Sequence, residues 1–355
     1  MQLVQDISNQ QSRASDQTNI SLVGRTSALS LENRLRDQNF QAPSDNMTTW
    51  RVSMAKNSLA VDIGATKAAI AIVSSELKII DQVSMPTGTR DGIWDGIALA
   101  TKQLFSKNNL SIEAIGIGSA GPINQSAGTI SPVNITSWRD FPIVERFRSL
   151  LNVQRIELCG DAIALTIAES KIGAGKGLSN FLGMVVSTGI GGGLVLNDKV
   201  FQGQTGNAGY FGHHSINFQS EKCRCGRNGC VEYFASGPSM VRIAKELGWS
   251  NSVENFESLA ADAKSGNQFA IQSIDSGAHA LAVGIINVLA ILDIDTVIVG
   301  GGVTKAGAIY WDALKSHVFD EGKRVGFIKQ IDLLRSELNA DAGLIGAALQ
   351  VMGSN

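Results

Sequence analysis

Apolar positions along this chain fall into two patterns. Short apolar runs stop at glycine, and longer stretches repeat their apolar positions every three or four residues. Residues 59–64 form a short buried run closed by Gly64, which predicts a strand ending in a turn. Residues 68–73 and 78–83 predict two more strands of a meander. Ile93, Ile97, Ala100 and Leu104 share one face, so 91–106 is expected to be a helix. Residues 112–118 and 153–158 predict strands, the second running into a helix over 161–172. The order then recurs. Strands at 181–187, 193–196 and 199–201 surround a glycine turn, followed by helices at 238–247, 255–264 and 268–291. A buried strand at 295–299 meets Gly300-Gly301-Gly302, and helices at 305–317 and 343–351 follow. Two halves that each open with a meander and a glycine turn predict an α/β, bilobed fold with a cleft between the lobes.

Residues 1–53 break this pattern. They are rich in Ser, Gln, Asn and Asp without a period of 2 or 3.6, so they are expected to be a disordered extension, with Met54 as an alternative start. Composition narrows the class further. Of 355 residues, 44% are apolar, enough for a large core, and the net charge of −2 offers no field for nucleic acid. The most helix-like uncharged stretch, 276–292, falls short of a membrane span of about 20 residues. No secretory pattern opens the chain. A cytoplasmic enzyme or sensor is expected, with neither nucleic acid nor membrane as partner.

Glycine is in excess, 38 residues, without a collagen-like period. Three glycine turns follow strands: Asp62-Ile63-Gly64-Ala65-Thr66-Lys67, Ser187-Thr188-Gly189-Ile190-Gly191-Gly192-Gly193, and Gly300-Gly301-Gly302. The first joins backbone N–H groups, a hydroxyl and a cation, which suits phosphate without being a Walker A sequence. Asp161 opens a helix, where it is either a helix cap or a general base kept ionised by the helix terminus. Three of the four cysteines, Cys223, Cys225 and Cys230, fall within eight residues, and His213 precedes them. Four N and S ligands with no open position predict a structural Zn²⁺ rather than disulfides. Cys159 stands apart and reads as a buried apolar residue. Glu232, just after Cys230, is either a surface charge or a hydrogen-bonding group held by the metal loop.

Together these pieces resemble the ROK family (repressors, open reading frames and sugar kinases) of the actin-like ATPase superfamily. The resemblance also rests on Gly116-Ile117-Gly118-Ser119-Ala120-Gly121-Pro122, on Asn134 with Trp138, on Gly160-Asp161 and on Gly212-His213, and it spans roughly 58–350. It implies two RNase H-like lobes, 54–172 and 173–342, with a zinc loop in the second and a C-terminal helix in 343–355 packing back on the first. It implies ATP and Mg²⁺ in the cleft. Asp62, Gly64, Thr66 and Lys67 would form one phosphate loop, Thr188 and Gly189 a second, and Gly300, Gly301 and Gly302 would approach the adenosine. Asp161 would be the base. Asn134, Tyr210, His213 and Glu232 would lie at the sugar, and His213 would also bind zinc, which favours it over His214. Gly160 and Tyr210 stand where the family usually has Asn and Glu, so the acceptor is expected to be altered. The expected activity is an ATP-dependent kinase for a hexose or hexose-like polyol, as a homodimer or homotetramer. The alternatives are a sugar-sensing regulator and an inactive sugar-binding protein.

Overall fold

The structure, a computed structural model, describes residues 57–64, 66–87, 92–108, 110–338 and 341–352. The expected extension, Met54 and Ala65 of the first turn lie outside the described residues. The first half contains β1 (Asn57–Ile63), β2 (Lys67–Ser74), β3 (Ile79–Pro86), α1 (Ile93–Asn108) and β4 (Ala114–Ser119). A small hairpin follows, β5 (Ile123–Asn124) with β6 (Thr129–Ile130), then α2 (Ile143–Leu151), β7 (Arg155–Gly160) and α3 (Asp161–Ile172). The second half opens with β8 (Phe181–Val186), β9 (Ile190–Leu196) and β10 (Lys199–Phe201). It continues through α4 (Val231–Ala235), α5 (Gly237–Leu247), α6 (Phe256–Lys264), α7 (Gln268–Leu292), β11 (Thr296–Gly300), α8 (Ala308–Lys323) and β12 (Asp332–Arg335). Last comes α9 (Ala342–Met352).

The two halves share one topology. One sheet has the order β3-β2-β1-β4-β7 and the other β10-β9-β8-β11-β12. In each, three antiparallel strands are joined to two that run parallel to the first strand. The parallel strands of the first sheet end in register, Ile63 beside Ser119 and Ser119 beside Gly160. In the second sheet Val185 pairs with Gly300. Loops leaving the carboxyl ends of parallel strands are where open α/β sheets build their sites. That edge carries the residues after Asp62 and before Asp161 in one lobe, and the 187–189 and 300–302 turns in the other.

Helix α3 joins the lobes. Every residue from Ala162 to Glu169 is buried, so it is a helix enclosed on all sides rather than one with a polar face. It packs on β8 and β9 of the second sheet and on α9, which lies across β1 and β4 of the first. Glycine makes this approach possible. A Cβ on Gly346 of α9 would overlap the carbonyl oxygen of Ala164, and one on Gly116 of β4 would overlap that of Ala347. The helices therefore meet backbone to backbone.

Several elements differ from the sequence pattern. The glycines at 191–193 belong to β9 and not to a turn, which is confined to 187–189. The helix expected at 305–317 begins at Ala308, because Gly307 takes φ 75° after a 3₁₀ turn at Gly302–Ala306. Helix α7 runs 25 residues, long and apolar enough to cross a membrane by length and composition. Here it is a core helix of the second lobe, with Ile274, Leu281, Ile285 and Leu289 fully buried.

The α3–α9 crossing yields a direct expectation. Gly346→Ala should destabilise the protein by about 3 kcal/mol, because the new methyl meets backbone that has no rotamer to change. Urea unfolding of the variant beside the parent measures this. An unchanged midpoint would mean that the two helices part without cost.

Candidate active site

A cleft of about 380 Å³ lies between the two sheets, at the carboxyl ends of their parallel strands. Asp62, Gly64, Thr66 and Lys67 line it from the first lobe, as do Asn134, Gly160 and Asp161. Thr188, Gly189, Tyr210, His213, Glu232 and Gly301 line it from the second. Two candidates stand back from it. Gly300 faces Ser336, and the nearest atom to Gly302 is the Ser187 hydroxyl, so of the third glycine run Gly301 is the residue on the cleft.

The first turn is closed by Gly64, whose N–H donates to the Lys67 carbonyl at 2.9 Å, and by Thr87, which donates to the Thr66 carbonyl at 3.0 Å. Asp62, near the end of β1, lies against the start of α9, where a Cβ on Gly343 would stand 2.6 Å from its Oδ2. Burial raises the Asp62 carboxyl to about 7, the Asp161 charge adds to the rise, and Lys67 opposes it. Among the described residues lining the cleft, Lys67 is the single Lys or Arg.

The second turn sits above the start of α3. The Ser187 N–H donates to the Gly189 carbonyl, and Glu232 Oε2 accepts the Ile190 N–H at 2.8 Å. Glu232 is thus a group held inside the cleft. A Cβ on Gly191 would lie 2.7 Å from the Ala162 methyl, so this glycine brings the turn down onto the helix that begins with Asp161.

Asp161 is the first helical residue of α3, and the cap position belongs to Gly160. Its Oδ1 accepts the Ala162 N–H at 2.7 Å. The sequence pattern suggests that the helix terminus keeps this carboxylate ionised, but burial is the larger effect. Burial pushes its pKa up, the Ala162 N–H opposes this, and the Glu232 charge pushes it further up. Tyr210 is pushed up to about 12 by burial and then by Glu232, so it presents a neutral hydroxyl. Its ring lies 4.6 Å from that of His213 and reaches over Gly121 of the other lobe. A Cβ on Gly160 would meet only Ile163, at an ordinary 3.7 Å, which leaves room in the cleft at this position.

The donor atoms of His213, Cys223, Cys225 and Cys230 all lie within 4.8 Å of one another. His213 Nδ1 is 3.6 Å from Cys223 Sγ, and its Nε2 is 3.9 Å from Glu232 Oε1. One imidazole thus faces both the sulfur cluster and the cleft. His214 turns away, with its Nδ1 2.7 Å from the Phe211 carbonyl. Two contacts at the rim were not legible in the sequence. Asn207 accepts the Ile123 N–H at 2.8 Å and donates back to the Ile123 carbonyl at 2.7 Å. Arg224 Nη1 reaches Asn134 Oδ1 at 3.2 Å.

Two similarly wound lobes around a cleft, with glycine turns from each and a helix-terminal aspartate lining it, define a two-lobed, mixed α/β class of enzyme with its site between the sheets. Residues 58–353 match the sequence model of the ROK family, and the chain belongs to that family. A glucokinase from Streptomyces coelicolor is 29% identical over 307 residues, 82% of this chain and 96% of that protein. An N-acetylmannosamine kinase from Shigella boydii is 32% identical over 306 residues, 83% of this chain and 98% of its own length. Among solved structures, a ROK family glucokinase from Streptomyces griseus in complex with glucose and AMPPNP has a TM-score of 0.74. It is 28% identical, with 83% of this chain and 99% of that one covered.

The Asp62 environment sets a pH dependence with a definite sign. Its folded value near 7 lies above the ordinary 3.8, so folding favours the protonated form. Without ligands, the Asp62 contribution to stability is lost as the pH rises from about 4 to about 7, and the loss is constant above that. Asp62→Asn removes this loss. The variant's melting temperature should exceed the parent's by a margin that grows between pH 5 and 7, reaches at least about 2 °C, and then levels off. A margin independent of pH would place the titration elsewhere.

Proposed function

We propose that this chain transfers the γ-phosphoryl group of ATP to a hydroxyl of a hexose or hexose-like polyol. It is an ATP-dependent sugar kinase, and its relatives are glucokinases and N-acetylmannosamine kinases. The observation that carries the mechanism is the position of Asp161. Its carboxyl lines the cleft together with residues of both glycine turns, and its Oδ1 would lie 3.8 Å from a Cβ on Gly191. In-line phosphoryl transfer needs the acceptor oxygen held beside the γ-phosphate and a place for its proton. Asp161 accepts that proton. The turns at Gly64 and Gly189 offer backbone N–H groups to the phosphates from opposite lobes, with Lys67 as the matching cation. Gly301 approaches the adenosine side. Mg²⁺ bound with ATP would neutralise phosphate charge, and Asp62, the carboxylate beside Lys67 in that turn, is the residue that would hold it.

Asn134, His213 and Glu232 hydrogen-bond the acceptor. Tyr210 places a neutral hydroxyl where relatives of this kind usually carry a carboxylate, and Gly160 leaves space where they usually carry an amide. An acceptor with a bulkier or less hydroxylated edge than glucose, such as an N-acetylated hexosamine or a carbasugar, suits both changes. On the same reading the protein works in the cytoplasm as a homodimer or homotetramer, without nucleic acid or membrane.

The four-residue donor cluster fits zinc. Ligands about 2.3 Å (S) and 2.0 Å (N) from a tetrahedral ion stand about 3.6–3.8 Å apart. The structure has His213 Nδ1 and Cys223 Sγ at 3.6 Å and Cys225 and Cys230 Sγ at 3.5 Å. Burial first, and then the neighbouring cysteines, push the Cys223 and Cys230 thiols up, toward protonation, and a cation at their centre would reverse this. Bound there, zinc would act structurally, holding His213 and Glu232 at the acceptor.

Four measurements test this reading. Coupled detection of ADP across a panel of hexoses, hexosamines and polyols should reveal at least one good acceptor. Asp161→Asn should lower kcat by at least about 10² while ATP binding changes little and the melting temperature does not fall. Parent-like turnover would make Asp161 a structural residue. Elemental analysis should find one zinc per chain, lost in Cys225→Ser, and its absence from unchelated protein would remove the metal from the account. Tyr210→Glu should shift preference toward glucose, read as the ratio of kcat/KM for glucose to that for N-acetylmannosamine.

A further inference from the structure

Arg224 stands between Cys223 and Cys225, so both of its chain neighbours belong to the metal cluster. It is exposed, yet its Nη1 lies 3.2 Å from Oδ1 of Asn134, a residue of the other lobe that lines the cleft. A guanidinium donates through five N–H groups and accepts nothing. The end of the Asn134 amide that faces Arg224 is therefore its oxygen. The end left for a ligand is Nδ2, which only donates.

The backbone that carries Asn134 is held independently of this contact. Arg139 Nη1 donates to the carbonyls of Pro132, Ile135 and Trp138 at 3.0, 3.2 and 2.9 Å. The Asp140 N–H donates to the Ser131 hydroxyl at 2.9 Å, and the Trp138 ring stacks on Phe141 at 4.2 Å. With the loop so tied, what Arg224 adds is the sense of one side-chain amide. We propose that Arg224 is a positioning residue: it holds Asn134 as a hydrogen-bond donor toward a lone pair of the acceptor, and so couples the metal loop of one lobe to acceptor recognition by the other. The inference rests on the kinase reading. It goes further in stating which polarity the acceptor must present at Asn134, an oxygen free to accept.

The test uses the full chain with ATP and Mg²⁺, with glucose, N-acetylglucosamine and N-acetylmannosamine as acceptors. Arg224→Met removes the donor but keeps the length of the side chain. It should raise the KM of the best acceptor about tenfold, the value of one well-placed hydrogen bond, with the KM of ATP and the zinc content unchanged. Arg224→Lys, which still donates, should recover part of that loss. Asn134→Asp keeps the contact to Arg224 but turns an acceptor toward the sugar. It should raise the acceptor KM by about 10², and adding Arg224→Met to it should cost little more. An active parent whose Arg224→Met variant keeps the acceptor KM overturns the inference alone. So does a KM that rises only in step with loss of zinc, or an Asn134→Asp variant that binds like the parent. A parent that phosphorylates none of the three sugars while binding ATP overturns the kinase reading for this acceptor class, and this inference with it.

Discussion

The contact on which the site depends is the crossing of α3 and α9. Both helices are buried between the sheets, and they meet where Gly346 lies on the Ala164 carbonyl. Each helix also delivers one acidic group to the cleft or braces one. Helix α3 begins with Asp161, and α9 begins against Asp62. A shift of either helix by one side-chain width would move a carboxylate by a comparable distance. Misplacement of about 1 Å is enough to disrupt a near-attack geometry. Close packing of small residues at the crossing thus does more than stabilise the chain, because it sets the distance between the two acidic groups.

Those acidic groups are in an electrostatic position that the protein alone does not satisfy. Asp62, Asp161 and Glu232 line one cleft with Lys67 as the single Lys or Arg among its described residues. Asp62 and Asp161 are both pushed up, chiefly by burial and in part by another member of the group. Such a cluster favours whatever brings positive charge, whether a proton or a metal cation. Positive charge entering the cleft opposes that rise, so the acid–base state of Asp62 and Asp161 follows the occupancy of the site.

Much of this was legible in the chain, and the exceptions have physical reasons. Buried strands closed by glycine were readable because the parallel strands are apolar on both faces, as in β4, where all six residues are buried. The hairpin of β5 and β6 was not, since two-residue strands carry no period. Strand β12 is half-buried and four residues long, and α4 is a single turn after Cys230. The α2 helix, nine residues after Pro142, was passed over because it is short and bears three charges on its outer face. At the site, the residue types were legible but not the uses of glycine. Gly191 and Gly300 look like turn or ligand glycines in sequence, yet one admits the Ala162 methyl and the other faces Ser336. The bonds between Asn207 and Ile123 and between Arg224 and Asn134 join residues 84 and 90 positions apart, a distance over which no local pattern operates.

The loop that carries the four donor atoms gives a physical reason for a structural ion at this wall of the cleft. Residues 214–230 contribute little to the apolar core: Ile216 is only partly buried against it, and Phe218 is 79% exposed. Their internal bonds are turns such as Cys223 N–H to Arg227 carbonyl and Gly226 N–H to Cys223 carbonyl. A segment with so few buried contacts would open locally at small free-energy cost. Yet His213 and Glu232, which line the cleft, and Arg224, which reaches Asn134 from the other lobe, sit within it or at its ends. Burying a hydrophobic anchor there would take up the space the acceptor needs. Four metal bonds to the proposed zinc would confine the same loop, whose four donor atoms already lie within 4.8 Å of one another, and would leave the Nε2 of His213 toward Glu232 and the cleft. On the proposed reading, rigidity here would come from coordination rather than packing, at a wall of the cleft where packing and acceptor would compete for the same place.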